Sequence, residues 1–214
     1  MNQETLVLIE IGGWSPAMIV LDAMEKTAGV RVLQAELNDR PGVCLKLHGT
    51  LGDVQAAASA AGEMARAMQI EMTAHVIPAP AEGSNKAYQA APEYNPLIEQ
   101  RTVHDPAVHD RTAQNPEKNM KNQVQASFAV GLIETQGFTA VFEAIDTALK
   151  TAAVEVLARE KLGGGYITVL IKGDVAAVRA AVDAGKARVE GLGRLIAAHV
   201  IPSPSEGVLS LLPK

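Results

Sequence analysis

The stretch AHVIPAPAEG at residues 74–83 returns as AHVIPSPSEG at residues 198–207, displaced by 124 positions. The same offset holds far upstream. LVLIEIGGW (6–14) aligns with VGLIETQGF (130–138), so that Glu10 falls on Glu134, Gly13 on Gly137 and Trp14 on Phe138. LDAMEKTAGV (21–30) falls on IDTALKTAAV (145–154), matching Asp22 to Asp146 and Lys26 to Lys150. GDV recurs at 52–54 and 173–175, where the smaller offset marks extra residues in the first copy. Agreement at so many anchors identifies a tandem duplication.

Each copy reads β-α-β-β-α-β. The apolar runs TLVLIEI and QASFAVGLIE are of strand type. Ser15, followed by Pro16, and Thr139 are the expected N-caps of a first helix that ends near Lys26 or Lys150. VRVLQAE and VEVLARE alternate apolar and polar residues as half-buried strands do. VCLKLHG and YITVLIKG follow as third strands, and Asp53 and Asp174 are the expected caps of Ala-rich second helices. EMTAHVIP and LIAAHVIP close each copy as strands that Pro78 and Pro202 end. The expected fold is α+β: two tandem ferredoxin-like βαββαβ units, each an antiparallel sheet with its helices on one face. The copies span 1–80 and 126–205. A polar, Pro-containing linker over 81–125 is expected to be extended, with at most a short helix near 116–123. A tail covers 206–214.

Composition narrows the function. Aromatics make up 3% of the chain, so the core must be built of small side chains that let helices lie close to a sheet. The net charge of −5 argues against nucleic acid as a partner, since phosphate binding needs a basic face. One cysteine, Cys44, forbids an intramolecular disulfide and fits a reducing compartment. No apolar run reaches the roughly 20 residues of a membrane span. The start, MNQETLVLIE, has no basic n-region, so the expected location is the cytoplasm.

The copy-two run VGLIETQGF…AIDTALKTAAVEVLAREKLGGGYITVLIKGDVAAVRAAVDAG…AAHVIPSP strongly resembles the bacterial microcompartment shell domain. Copy one resembles it more loosely at the same landmarks. The chain is thus similar to tandem-domain shell proteins with non-permuted copies. The resemblance implies a homotrimer with pseudo-sixfold symmetry that takes a hexagon's place in a shell lattice beside other shell subunits. It implies a central pore for small metabolites; from the residues themselves no cofactor and no catalysis are expected.

The loop KLGGGY, with Leu162, Gly163, Gly164 and Gly165, is locally a flexible hairpin turn or, less aptly, a phosphate cradle. The resemblance makes it pore-lining. Its equivalent in copy one, with Asn38, Asp39, Arg40 and Pro41, departs from the family's glycines. Proline fixes φ and pushes Arg40 toward extended backbone. Arg40 would either favour anionic metabolites or pair with Asp39 and do little. Asp22 with Lys26 and Asp146 with Lys150 are i,i+4 pairs on a helix face. The resemblance assigns these lysines to the tile edge, where they would touch a neighbouring tile. Family members often carry an arginine just after HVIP, but here Ala79 and Ser203 stand in that place.

His75 and His199, one per copy, read as structural histidines. HDPAVHD groups His104, Asp105, His109 and Asp110 with metal-capable chemistry but loose geometry, so no metal site is expected. The resemblance raises an iron–sulfur cluster at the pore, as some tandem shell proteins hold, but one cysteine per chain would give a trimer only three, so Cys44 reads as a small buried hydrophobe. No Ser-His-Asp set, paired-carboxylate motif or nucleotide loop appears. The alternative function is that of a trimeric ferredoxin-like metabolite-sensing regulator.

Overall fold

The computed structural model describes residues 5–38, 42–89, 91–106 and 128–212. Copy one runs β1 (Thr5–Gly12), α1 (Trp14–Thr27), β2 (Arg31–Asn38), β3 (Gly42–Gly49), α2 (Leu51–Met68) and β4 (Met72–Ile77). Among its described residues the connection includes a helical turn, α3 (Asn85–Tyr88), and the two-residue strands β5 (Tyr94–Asn95), β6 (Gln100–Arg101) and β7 (Val103–His104). Copy two runs β8 (Ala129–Gln136), α4 (Phe138–Thr151), β9 (Val154–Gly163), β10 (Tyr166–Gly173), α5 (Val175–Lys186) and β11 (Arg194–Ile201). A final helix, α6, spans Glu206–Leu211. None of the described helices is long and apolar enough to cross a membrane.

The two sheets have one topology. Copy two orders its strands β11-β8-β10-β9, and copy one β4-β1-β3-β2 with β7 added at the edge. All pairings are antiparallel. Helices and sheets pack through small side chains. The buried stripe of α2 is Val54, Ala57, Ala61 and Ala65, and that of α5 is Val178, Ala181, Val182 and Gly185. These stripes recur every three or four residues, as a helix with one buried face requires.

The helix starts differ from the sequence expectation. Neither Ser15 nor Thr139 caps: Gly13 and Gly137 occupy the cap positions and no side chain of their own copy serves there. In α2 the cap is Thr50, whose hydroxyl accepts from the Asp53 N–H, while Asp53 lies in the first turn and accepts from Gly29. Asp174 does cap α5, accepting from Ala176. The connection also departs from an extended linker. β7 pairs with β2, and Val103 and Ile98 are buried. The helix expected near 116–123 lies outside the described residues.

The copies are joined face to side. Ile133, Ile167 and Val169 point to copy two's own helices and pack with Ala140, Val141 and Ala144. On the other face of the sheet Val130, Leu132 and Leu170 enter the core of copy one, beside Trp14, Met18 and Leu21 of α1. At the centre of this joint the Glu134 carboxylate accepts from Trp14 N at 3.1 Å and from Ser15 N at 2.9 Å. A carboxylate of copy two thus satisfies two of the orphan donors that open α1, with the helix dipole in its favour. The α1 start must be glycine for this. Gly13 has φ +85°, and a Cβ there would stand 2.9 Å from Glu134 Oε2. At the far end of α1, Asp22 Oδ1 accepts from Ser205 N and Glu25 Oε2 from Gly207 N, which fastens the tail to copy one.

Burial outweighs these two N–H donors and raises the Glu134 pKa above the ordinary carboxylate value. The folded state therefore holds this proton to higher pH than the unfolded chain. The associated stability is full below the unfolded pKa and is lost as pH rises through the folded one. Replacing Glu134 with Ala leaves two buried N–H groups unpaired and is expected to cost about 1–3 kcal/mol in denaturant unfolding near neutral pH. Glu134→Gln should remove the carboxylate's share of the pH slope.

Candidate functional site

The hairpin between β9 and β10 is a two-residue loop. Gly163 pairs with Tyr166, and the central Gly164 and Gly165 have φ of +59° and +82°. Positive φ at both positions is the type I′ requirement, which suits the twist of the flanking strands. The loop is tied down at its base. Gly137 N donates to Gly165 O at 2.9 Å, and Gln136 Nε2 donates to Gly164 O at 3.3 Å. Leu162 differs from the expectation: its side chain is buried in the core of copy one, because the register shift before Ile167 turns it there. It is not on the open side of the loop, where Gly163, Gly164 and Gly165 stand.

In copy one the equivalent hairpin joins β2 to β3. Asn38 ends β2 with its Oδ1 buried, and Gly42 opens β3 against Ile11 O. Asp39, Arg40 and Pro41 lie outside the described residues.

The connection grips both hairpins, which the sequence did not foretell. Leu37 N, near the end of β2, donates to Thr102 O at 2.7 Å. Gln100 pairs with the end of β9, donating from Nε2 to Lys161 O at 2.7 Å and accepting from Lys161 N at 3.2 Å. Lys161 Nζ meets Glu99 at 2.5 Å and lies 5.6 Å from the centroid of the Phe138 ring. Ile98 stands 3.8 Å from where a Gly163 Cβ would be. His104 packs on Trp14, with ring centroids 4.7 Å apart, and its Nε2 is 3.0 Å from Glu160 Oε1 without hydrogen-bond alignment. A cleft of about 300 Å³ opens beside this junction, lined by Arg101, Arg159 and Lys161 among others. The only advance signs were single apolar residues, Ile98 and Val103, in a polar run.

The lysine pairs sit on helix faces as spaced. Lys26 Nζ is 2.6 Å from Asp22, and Lys150 Nζ is 2.5 Å from Asp146. The second pair is well exposed, and the aspartate raises the Lys150 pKa. The first is partly covered, because Asp22 also holds the tail.

Cys44 is half-buried rather than buried, and burial pushes its thiol up to about 11. His75 is exposed on β4, whereas burial holds the half-buried His199 below its ordinary pKa. Of HDPAVHD, His104 and Asp105 are described, and His109 and Asp110 lie outside the described residues. Among the described residues no group of three or more His, Cys, Asp or Glu could hold a metal ion.

Comparison with known proteins adds a family. The model of the BMC domain matches twice, at residues 5–80 and 129–204. Similar proteins include the bacterial microcompartment shell protein PduA of Citrobacter freundii, 48% identical over 86 residues, which are 40% of this chain and 92% of PduA. The microcompartment shell protein EutM of Escherichia coli (strain K12) is 42% identical over 85 residues, 40% of this chain and 88% of EutM. The carboxysome shell protein CcmK2 of Synechocystis sp. is 46% identical over 90 residues, 41% of this chain and 86% of CcmK2. Each of these relatives therefore matches a stretch of about one copy.

The hairpin at Gly164–Gly165 generates a stability prediction. A β-branched side chain is strained at positive φ. Gly165→Val should lower unfolding free energy by about 1–2 kcal/mol. The measurement is the denaturant midpoint at unchanged slope.

Proposed function

The chain belongs to the BMC-domain family, and on that premise we propose that it forms a pseudohexameric homotrimer with a central pore for small metabolites. It is a bacterial microcompartment shell protein, and its place is the shell among other shell subunits. Three chains supply six similar units around one axis. The loops at Asn38–Pro41 and Gly163–Gly165 then meet at the centre, three of each in alternation. The copy-one loops bring charge and a stiff proline, and the copy-two loops bring bare backbone. Passage is passive, set by the opening's width and by loop charge. No chemical turnover is involved, in keeping with the structural shell relatives.

One observation carries this reading. The strand ends that bear the two loops, at Leu37 and Lys161, are both bonded to the same short piece of the connection, residues 100–102. The strand ends at Leu37 and Lys161 therefore lie on one side of the chain, and this supports convergence of their loops on a single axis. The outer, helical side carries Lys150 and Asp146, exposed and suited to a tile edge. Lys26 and Asp22 take the corresponding edge of copy one, with Asp22 shared with the tail. The regulator alternative has no support among the relatives named above.

The test is mass and morphology. Light scattering should give three times the chain mass, and concentrated protein should form flat sheets or tubes by electron microscopy. Lys150→Ala should reduce sheet formation while leaving the trimer intact. A lone monomer, or discrete particles that melt differently with added metabolites, would overturn the shell-tile reading.

A further inference from the structure

One carboxylate in the joint between the copies is only half satisfied. Thr168 on β10 stands opposite Glu134 of β8 on one side and opposite Glu160 of β9 on the other, so the three form one row across the copy-two sheet. Both glutamates are buried, Glu134 at 0% and Glu160 at 1% exposure. Glu134 has its two N–H donors at the start of α1. Glu160 is served on one oxygen. Its Oε1 accepts from Gln100 Nε2, while Oε2 is buried without a hydrogen-bond partner. His104 Nε2, 3.0 Å from Oε1 and out of alignment, is buried without one as well. Buried polar atoms in folded proteins are nearly always paired, so two orphans side by side mark a place where a further group belongs.

Glu160 and His104 both line the cleft of about 300 Å³ beside the connection and β9. The more exposed part of its lining has the opposite character. Arg101 on β6 and Arg159 on β9 are exposed there. Arg101 has no ion-pair partner among the described residues, and Arg159 reaches Glu99 only at 4.0 Å. The other acids of the lining are engaged: Lys161 holds Glu99 at 2.5 Å, and Asp105 has a partner of its own. The cleft thus offers an unused acceptor among its buried groups and unused positive charge among its exposed ones.

We infer that this cleft binds a small hydroxycarboxylate, with its carboxylate on Arg101 and Arg159 and its hydroxyl between Glu160 Oε2 and His104 Nε2. The planar guanidinium fork matches a carboxylate in shape as well as charge. A hydroxyl both donates and accepts, so one group serves both orphans, donating to Oε2 and accepting from the imidazole N–H. An ammonium group has donors only, and it would sit among two arginines and Lys161. A plain carboxylate leaves the two buried atoms unpaired, and a plain alcohol leaves the arginines without a counter-charge. The volume admits an acid of three or four carbons with water beside it. Arg101 and His104 belong to the connection, whereas Arg159 and Glu160 belong to β9. The ligand therefore bridges the connection and the strand that leads into the Gly163–Gly165 loop. The site is separate from the loops themselves and is built within one chain.

The test is calorimetric titration of the full chain in a buffer free of carboxylates. The probes are L-lactate and 4-hydroxybutyrate, a short and a long hydroxycarboxylate. L-alanine, propionate and 2-propanol are the controls, each changing one of the two groups of lactate. At least one hydroxycarboxylate should bind saturably with a millimolar or lower Kd, at least tenfold tighter than every control. Arg101→Ala should weaken that binding at least tenfold. Arg66→Ala, which removes an exposed charge on α2, should leave it unchanged. Glu160→Gln should abolish the preference for the hydroxycarboxylate over propionate. Where that buried substitution prevents folding, the exposed Arg101 pair of variants decides. Absence of saturable binding by both hydroxycarboxylates overturns the inference. So does binding of alanine or propionate as tight as theirs, or equal behaviour of Arg101→Ala and Arg66→Ala.

Discussion

A carboxylate from one copy at the helix start of the other is the contact on which the arrangement of this chain depends. Glu134 sits between two apolar layers, where an isolated charge is costly. Two backbone N–H groups and the helix dipole offset that cost only at one place, the first turn of α1. The pairing is therefore positional as well as energetic. Sliding α1 along the copy-two sheet by a residue would leave both donors and the carboxylate buried without partners. Leu132, Val130 and Leu170 supply the apolar area, but area alone would not select one register.

Duplication gave two equal folds with unequal surroundings. Trp14 and Met18 lie in a seat, while Phe138 and Phe142 face outward. Asp22 holds the tail, while Asp146 holds only Lys150 among the described residues. Among the described residues of the connection, Gln100, Glu99 and His104 pack between the loop-bearing strands of the two copies. Fusing two units lets matched positions of the copies differ in burial, partners and covering segments.

The element order was legible because strands and helices have different apolar periods, and each was written twice. The Gly-rich hairpin was legible because only glycine takes positive φ at two successive positions without strain. The helix starts were misread. Ser15 and Thr139 are good capping residues by type, but each falls one position inside its helix, and the true cap of α1 arrives from 120 residues away. Glu134 was visible as a repeat anchor, yet nothing local distinguished it from Glu10. The connection was misread for a related reason. Ile98 and Val103 are isolated apolar residues, and their burial follows from what folds over them. Leu162 looked like part of a loop tip, and a shift of register turned it into the core.

The amino-acid sequence alone determined the duplication, the βαββαβ order and the hairpin glycines, because these rest on periodicity, backbone preference and repeated residues that act over short distances; the family came from the resemblance of the copy-two run. Tertiary structure decided which of two matched glutamates is buried, which aromatic is seated, and where the connection lies. Identical local sequences have no means of differing in those respects. Only the neighbours that the folded chain brings to each copy break the equivalence, and burial converts that difference in neighbours into a difference in chemistry.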